Sequence, residues 1–543
     1  MATEMNWGKP DPRVRTLLKP VRVVWQTEGK AAPKGAQELF REGGKSCVMK
    51  HDGDAPGLLL DFGREIHGGV RITNGITPAH APTPVRVRFG ESVAEAMGKT
   101  DQDHAIHDQV ILIPWYGYAE FGNTGFRYAR IDLVEPGTML DIKEFAAVFI
   151  RRDLEYKGAF SCSDERINEI WRTGAYTTHL CMQDRVWDGI KRDRLVWIGD
   201  LHPETMVVNT VFGGVDVIPE SLDYVRDETP LPNWMNGISS YSLWWLLIHH
   251  DWFLYQGNLD YLKAQREYLE ALVRQLAAQI GDDGAERMGE GRFLDWPSSG
   301  DDAAIHAGLH ALLTMGLARG AALCDILGAA ETAAAARDGE ARLRRHTPPA
   351  CASKQANALI ALAGLEDAKR VNAAVLAKEP LRGVSTFYGY YVLQARAMAG
   401  DYAGALDVIR NYWGAMLDLG ATTFWEDFNL DWVPGSVGVN DLVPEGKKSI
   451  HADFGNYCYK GLRHSLCHGW ASGPTAWLGE HVLGFRPLEP GCKKLLVRPN
   501  LAGLEWAEGA FPAPQGVVRV RHEAGPDGVK SEIDAPAGVE IVR

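Results

Sequence analysis

The carboxylates of the segment Trp187-Asp188-Gly-Ile-Lys-Arg192-Asp193-Arg194-Leu-Val-Trp197-Ile-Gly-Asp200 raise the first chemical question. Asp188, Asp193 and Asp200 are spaced by five and seven residues, with Arg192, Arg194 and Trp197 between them. Side chains on one helical face recur at three and four residues, so no single face holds all three. The spacing predicts a loop leading into a helix, where the side chains converge. An Asp crowded by other carboxylates and an indole is pushed toward its protonated form, as a general acid requires. The bland alternative is a solvated charged loop with incidental ion pairs.

Three other segments join carboxylates or histidines to Trp and Gly. Gly420-Ala-Thr-Thr-Phe-Trp425-Glu426-Asp427 offers Glu426 as a general base, with Asp427 competing; a helix N-terminus decorated with acids would look similar. His464 and Cys467-His468-Gly-Trp470 form a turn entering a helix, where His468 is a ligand-contacting candidate. Phe293-Leu-Asp295-Trp296, followed by Asp301 and Asp302, is weaker and reads equally well as a capped loop. The chain has 17 Trp residues. Most must pack cores, but an indole also stacks on the apolar C–H face of a pyranose while nearby carboxylates bind its hydroxyls. There is no nucleophile elbow, phosphate-binding glycine loop or zinc helix motif, and no calcium loop. Neither a cofactor nor a metal is expected.

These segments lie in a stretch of helical pattern. Ser163 is a plausible N-cap before Ile167, Ile170, Trp171, Tyr176 and Leu180, and Tyr241, Trp244, Trp245, Ile248, Trp252 and Tyr255 repeat at helical spacing. An Ala- and Leu-rich run over 303–417 predicts more helices, in all about a dozen over 161–483. Before this stretch, 21–26, 58–62, 69–73, 85–89, 110–114, 126–133 and 140–150 read as strands of a β-sandwich. After it, strands return at 493–497, 516–522 and 529–533, too few for a large sandwich unless other parts of the chain complete them. The expected domains are an N-terminal β-sandwich (1–158), a helical catalytic domain (159–484) and a small C-terminal β domain (485–543).

Composition narrows the partners. Apolar residues make up 45% of the 543 and charged residues 23%, as in ordinary globular proteins. A net charge of -13 argues against nucleic acid or an anionic membrane as the main partner. No apolar run stands out as long enough to cross a bilayer. The first residues lack the basic-then-apolar pattern of a secretion signal, which predicts the cytoplasm, or the periplasm or exterior if a leader has been removed. The eight cysteines form no C-x-x-C pair and read as mostly buried thiols. Assembly as a homo-oligomer is compatible with all of this.

On these residues the chain resembles the α-L-rhamnosidases of glycoside hydrolase family 78. The resemblance runs in order along nearly the whole sequence: Leu59-Leu-Asp-Phe-Gly63, Gly69-Val-Arg-Ile72, Phe89-Gly-Glu-Ser92 and Gly125-Phe-Arg-Tyr-Ala-Arg-Ile131 before the catalytic segment, the Asp188 motif itself, then Leu496-Val-Arg-Pro-Asn-Leu and Gly516-Val-Val-Arg-Val near the end. It implies an (α/α)6 barrel flanked by β domains and hydrolysis of terminal α-L-rhamnose with inversion. Asp193 stands where the family's acid, usually Glu, is found, with Glu204 as fallback; Glu426 matches the base. Asp188, Arg192, Trp197, Asp200, Trp425 and His468, and more loosely Asp295 and Trp296, match sugar-contacting positions. Two alternatives share these features: a non-catalytic carbohydrate-binding relative, and an (α/α)6 lyase or unsaturated-uronyl hydrolase.

Overall fold

Alternating and continuous apolar runs drive the N-terminal region into strands: β1 (Arg13–Leu18), β2 (Arg22–Gln26), β3 (Cys47–Lys50), β4 (Gly57–Asn74), β5 (Thr83–Gly90), β6 (Asp108–Ile113), β7 (Gly117–Leu133) and β8 (Met139–Arg152). In this computed structural model the described residues are 10–41, 43, 45–99 and 107–543; the leader question concerns residues outside that set. The strands run in the order β1-β8-β4-β7-β5-β6, with β2 also on β4 and β3 on β8. The two expected strands 58–62 and 69–73 are one strand, β4, whose pairing with β7 shifts register between Asp61 and Ile66 and between Gly68 and Val70. Those irregularities hid its continuity. The core of this sheet domain includes Leu58, Leu60, Val85, Val87, Phe126 and Phe145, but also Ile190 and Cys467 from beyond residue 160. Loops of the helical region therefore close the sheet domain's core.

The helical region opens with Glu165–Cys181. Its N-cap is Asp164, which accepts from the Arg166 N–H, and not Ser163 as expected; the Ser163 hydroxyl accepts from the Glu505 N–H instead at 2.9 Å. Six helices pack side by side in sequence: Ile198–Val211, Ser239–Gln256, Asp302–Ile326, Lys354–Leu362, Gly389–Met398 and Gly473–Trp477, the last returning to the first. Helices inside such a ring touch protein on every side, so their sequences are apolar all round. Ser239–Gln256 carries Tyr241, Trp244, Trp245, Ile248, Trp252 and Tyr255 buried, with Leu243, Leu246 and Leu247 buried between them. Asp302–Ile326 is, contrary to the sequence reading, long and apolar enough to cross a bilayer by composition, yet 78% of its apolar window is buried inside the protein. Arg266–Ala277, behind the ring, buries only Leu269, Leu272, Val273 and Leu276, a one-sided stripe.

The C-terminal segment forms a three-stranded sheet (Phe485–Pro487, Lys494–Val497, Glu540–Val542) and a four-stranded one. The latter runs Gly528–Asp534, Gly516–Gly525, Trp506–Ala513 and then Ala159–Cys162. A strand from the start of the helical region thus completes it. All eight cysteines are free, and among them Cys458 is exposed.

One buried ion cluster joins sheet and helical region. Asp61 accepts from Arg127 at 2.8 Å and Arg22 at 2.8 Å, while the Arg127 guanidinium also reaches Asn440 Oδ1 at 2.7 Å. Burial pushes the Asp61 carboxyl up, but the two guanidiniums outweigh it and hold it below the usual range. Removing one partner of a buried pair costs about 3–5 kcal/mol, so Asp61→Asn is expected to lower unfolding stability by that order at neutral pH. The folded-state value is depressed, so this contribution is full above the ordinary carboxylate value and fades as pH falls through the folded one. Urea unfolding of parent and variant at neutral and acid pH checks both the size and the narrowing of the difference.

Candidate active site

The loop between Glu165–Cys181 and Ile198–Val211 carries the Asp188 motif. It is pinned at its base. The Asp188 N–H bonds Leu195 O at 3.0 Å, the Asp188 carboxylate accepts the Leu195 N–H at 3.0 Å, and the Asp188 carbonyl accepts the Gly469 N–H at 2.8 Å. Gly125 lets the loop press on the sheet: it donates its N–H to Ile190 O at 2.8 Å, and a Cβ there would meet Ile190 Cγ1 at 2.6 Å. At the tip, Asp193 and Arg194 sit at φ of 53° and 54°. Left-handed backbone at two successive non-glycine residues stores strain and is typical of functional loops. This turn lifts Asp193 to the rim, with 36% of its side chain exposed and its carboxylate 3.1 Å from Arg192.

Below the rim the groups are buried. Arg192 directs one amino nitrogen at both oxygens of Glu426, at 2.6 and 2.5 Å, and donates Nε–H to Arg463 O at 2.8 Å. Its guanidinium lies 5.2 Å from the Tyr459 ring centre. Glu426 also accepts the Ser465 N–H at 3.2 Å, while its backbone oxygen accepts from Trp470 Nε1 at 2.9 Å and Thr386 Oγ1 at 2.6 Å. Asp200, in the first turn of its helix, faces His468 Nε2 at 3.0 Å and accepts from the Tyr241 hydroxyl at 3.3 Å. The other ring nitrogen of His468 is 3.7 Å from Glu426, so His468 stands between the two carboxylates.

Burial dominates the electrostatics here. It pushes Asp188 well up, with the Asp200 charge adding to the effect. It raises Asp200 to about 8 against the pull of backbone and Tyr241 hydrogen bonds. Glu426 is raised by burial, with His468 and Arg192 pulling it back. His468 is driven down to about 4, so its imidazole is neutral near pH 7. Three carboxyl groups raised by burial in one cleft mark it as a functional-site candidate.

These groups line a cavity of about 330 Å³ together with Trp197, Trp296, Trp470 and Tyr459. The pocket thus brings together Asp188, Arg192, Asp193, Trp197, Asp200, Trp296, Glu426 and His468. It does not take in Asp295 or Trp425. Asp295 caps the turn at Trp296 by accepting its N–H at 2.9 Å and accepts the Ser385 hydroxyl; its work is to hold Trp296. Trp425 is buried edge-on against Phe428, with ring centres 5.6 Å apart. Asp427 and the fallback acid Glu204 also lie outside the lining; Glu204 is buried one turn beyond Asp200 and packed against Gly469. Sequence reasoning missed Tyr241, Tyr459, Arg292 and Arg463. Tyr241 was visible only as one member of a core stripe, and the other three stood in no recognisable pattern.

Comparison with known proteins agrees with this architecture. Residues 155–345 match the bacterial alpha-L-rhamnosidase six-hairpin glycosidase domain, and residues 484–542 match the bacterial alpha-L-rhamnosidase C-terminal domain. Over 94% of its length the chain superposes on a family 78 rhamnosidase of Bacillus sp. GL1, with a TM-score of 0.78, 22% identity and 55% of that chain covered. It superposes similarly on the Klebsiella oxytoca rhamnosidase solved with rhamnose bound (TM-score 0.70, 20% identity, 86% of this chain and 96% of that one). An alpha-L-rhamnosidase of Alteromonas sp. (strain LOR) is 28% identical over 129 residues, which are 23% of this chain and 12% of that protein. The chain spans about half the length of the Bacillus protein. Fold and helical domain are those of a six-hairpin glycosidase. Within that class, residues 155–345 and 484–542 are similar to the two domains of the bacterial α-L-rhamnosidases.

Gly469 gives a direct test of the packing behind the pocket. A Cβ there would lie 1.6 Å from Glu204 Oε1 and 2.8 Å from its Cγ, and Glu204 is itself buried. Overpacking of this kind costs about 1–3 kcal/mol. Gly469→Ala is expected to destabilise by that order, and adding Glu204→Ala to recover most of the loss. A double-mutant cycle by thermal unfolding measures the coupling.

Proposed function

We propose that this chain hydrolyses terminal α-L-rhamnosides with inversion at the anomeric carbon. The helices of the ring are read here as the inner wall of an (α/α)6 barrel with the pocket at one end. The observation that carries the proposal is the single guanidinium of Arg192, which touches Asp193 on one nitrogen and Glu426 on another. Inverting glycosidases need two carboxyl groups flanking the bond, roughly 6.5–9.5 Å apart, with space for a water. Adjacent amino groups of one planar cation bring both carboxyl groups to the same pocket, and inversion is the outcome that the family resemblance implies.

In the proposed reaction the sugar ring enters between Trp296, Trp470 and Tyr459, and Asp188, Asp200 and His468 bind its hydroxyls. Asp193, at the rim, protonates the glycosidic oxygen as the bond to the anomeric carbon breaks. Glu426, once ionised, takes a proton from a water that attacks the opposite face, its burial-raised value pulled back by His468, Arg192 and Ser465. The aglycone leaves to solvent on the exposed side. The reaction requires no cofactor. A rhamnose-bound relative of the same fold supports the substrate class.

One specific observation favours a second assignment of the acid: Asp200 lines the same pocket and is held protonated near neutral pH, where Asp193 is half open to water. Leaving-group dependence separates the two. Removing the true acid abolishes turnover of poor leaving groups but spares 2,4-dinitrophenyl rhamnoside, which departs without a proton. Asp193→Asn is expected to lower kcat on 4-methoxyphenyl α-L-rhamnoside by about 10²–10⁴-fold while sparing the dinitrophenyl substrate; that pattern in Asp200→Asn instead would reassign the acid. Glu426→Gln is expected to lose activity on both substrates. Absence of turnover by the parent on any α-L-rhamnoside would reject the proposal.

The pH profile carries a separate expectation. The base must be ionised, and burial raises Glu426 above its ordinary value of 4.5. Activity therefore falls on the acid side at a pH above that of a solvated glutamate. Measured kcat/KM across pH 3–9, at constant ionic strength, should show the acid limb displaced upward.

A further inference from the structure

The motif residue before Arg192 plays no part in the reaction above, yet it is more deeply buried than Arg192 itself. Lys191 is 2% exposed. Its ammonium lies 3.0 Å from Glu91 and 3.3 Å from Glu95, both buried in the sheet domain. It donates also to the carbonyls of Leu462 at 2.9 Å and His464 at 2.6 Å. Two carboxylates and two carbonyls around one ammonium resemble the oxygen cage of a metal ion, with the lysine supplying the charge. Burial favours neutral Lys191, but the charges of Glu91 and Glu95 outweigh it and keep it ionised. Arg127 and Arg88 complete the charged surroundings, while burial pushes the nearby Glu65, His451 and His464 toward their neutral forms.

The carboxylates come from the Phe89-Gly-Glu-Ser92 motif and the short helix that follows it. Ser92 caps Val93–Met97 by accepting the Glu95 N–H at 3.1 Å, and its hydroxyl pairs with His451 Nδ1 at 2.7 Å. Glu91 in turn accepts the Leu466 N–H at 2.7 Å. Residues 462–466 are therefore gripped twice from the sheet domain, once through Lys191 and once through Glu91. The same five residues hold the base: Ser465 donates its N–H to the Glu426 carboxylate and accepts from the Glu426 N–H at 3.0 Å, and Arg463 O accepts from Arg192.

We propose that Lys191, clamped by Glu91 and Glu95, is a positioning residue that sets residues 462–466 and Arg192 around the Glu426 carboxylate, so that the sheet domain is a working part of the active site. The inference rests on Glu426 being the base. Displacements near 1 Å at a reacting group cost on the order of a hundredfold in rate.

The test compares Lys191→Ala with the triple variant Lys191→Met, Glu91→Gln, Glu95→Gln, in the full chain. The triple variant removes the buried charges together, which keeps the fold where the single variant loses it. Both are assayed on 2,4-dinitrophenyl α-L-rhamnoside, and amide hydrogen exchange is followed at Ser465 and Leu466. The expected result is a folded triple variant with kcat lower by about a hundredfold, KM within threefold of the parent, and faster exchange at both amides. A folded triple variant with parental kcat and exchange overturns the inference. Faster exchange in a chain whose parent turns over no rhamnoside rejects the proposed reaction but supports the clamp.

Discussion

Everything around the pocket answers to one constraint: carboxylates buried at the end of an apolar helical ring must be neutralised or protonated. Removing a charge from water costs several kcal/mol even after relaxation. The fold meets this in two ways. Where a cation is at hand, as at Glu426 with Arg192, the pair is held by two short contacts and further hydrogen bonds. Where none is, as at Asp188 and Asp200, the proton stays on well above the ordinary carboxylate range. The division sets which buried carboxyl groups are paired with a cation and which are pushed toward their neutral form. It also explains why neighbouring loops converge on so few residues: each buried oxygen needs a donor, and backbone N–H groups of 195, 465 and 469 supply them.

The loop that carries Asp188 is where three parts of the chain meet. Its base pairs with the segment around His468, its apolar residue Ile190 lies in the core of the sheet domain, and its last residues open a ring helix. A loop so heavily tethered can hold two successive residues in left-handed backbone, because the surroundings over-determine it. The strain is local to Asp193 and Arg194, the part that must stand clear of the wall.

Much of this was legible in the sequence, and for identifiable reasons. The helix Ser239–Gln256 declared itself because its aromatic residues repeat at helical spacing, and the strand β5 because Val85, Val87 and Phe89 alternate with polar residues. The motif around Asp188 was recognisable by its resemblance to the family's motif; its carboxylates alone read equally well as a solvated charged loop. Spacing could not say which acidic residues face the cavity: Glu426 and Asp427 are adjacent, and only the first lines it. Spacing could not place Trp425 either, since a tryptophan beside a carboxylate looks alike whether it faces the cavity or packs edge-on against Phe428, as it does. The Ser163 cap failed by one residue because Asp164 caps equally well and Ser163 had a distant partner at Glu505. Contacts between residues hundreds apart, such as Tyr459 with Arg192, leave no local trace.

Among the described residues, the strand Ala159–Cys162 pairs only with Trp506–Ala513, as the outermost member of its sheet. Both ends of the helical region are thereby brought to one place, and the chain leaves it beside where it entered. During synthesis, strand 159–162 must wait unpaired until more than three hundred further residues have been made. An unpaired strand is an open edge on which other chains can add. A polypeptide stopped after the last ring helix would carry that edge permanently, so the small terminal sheet acts less as an appendage than as the latch that makes the newly made chain safe from its neighbours.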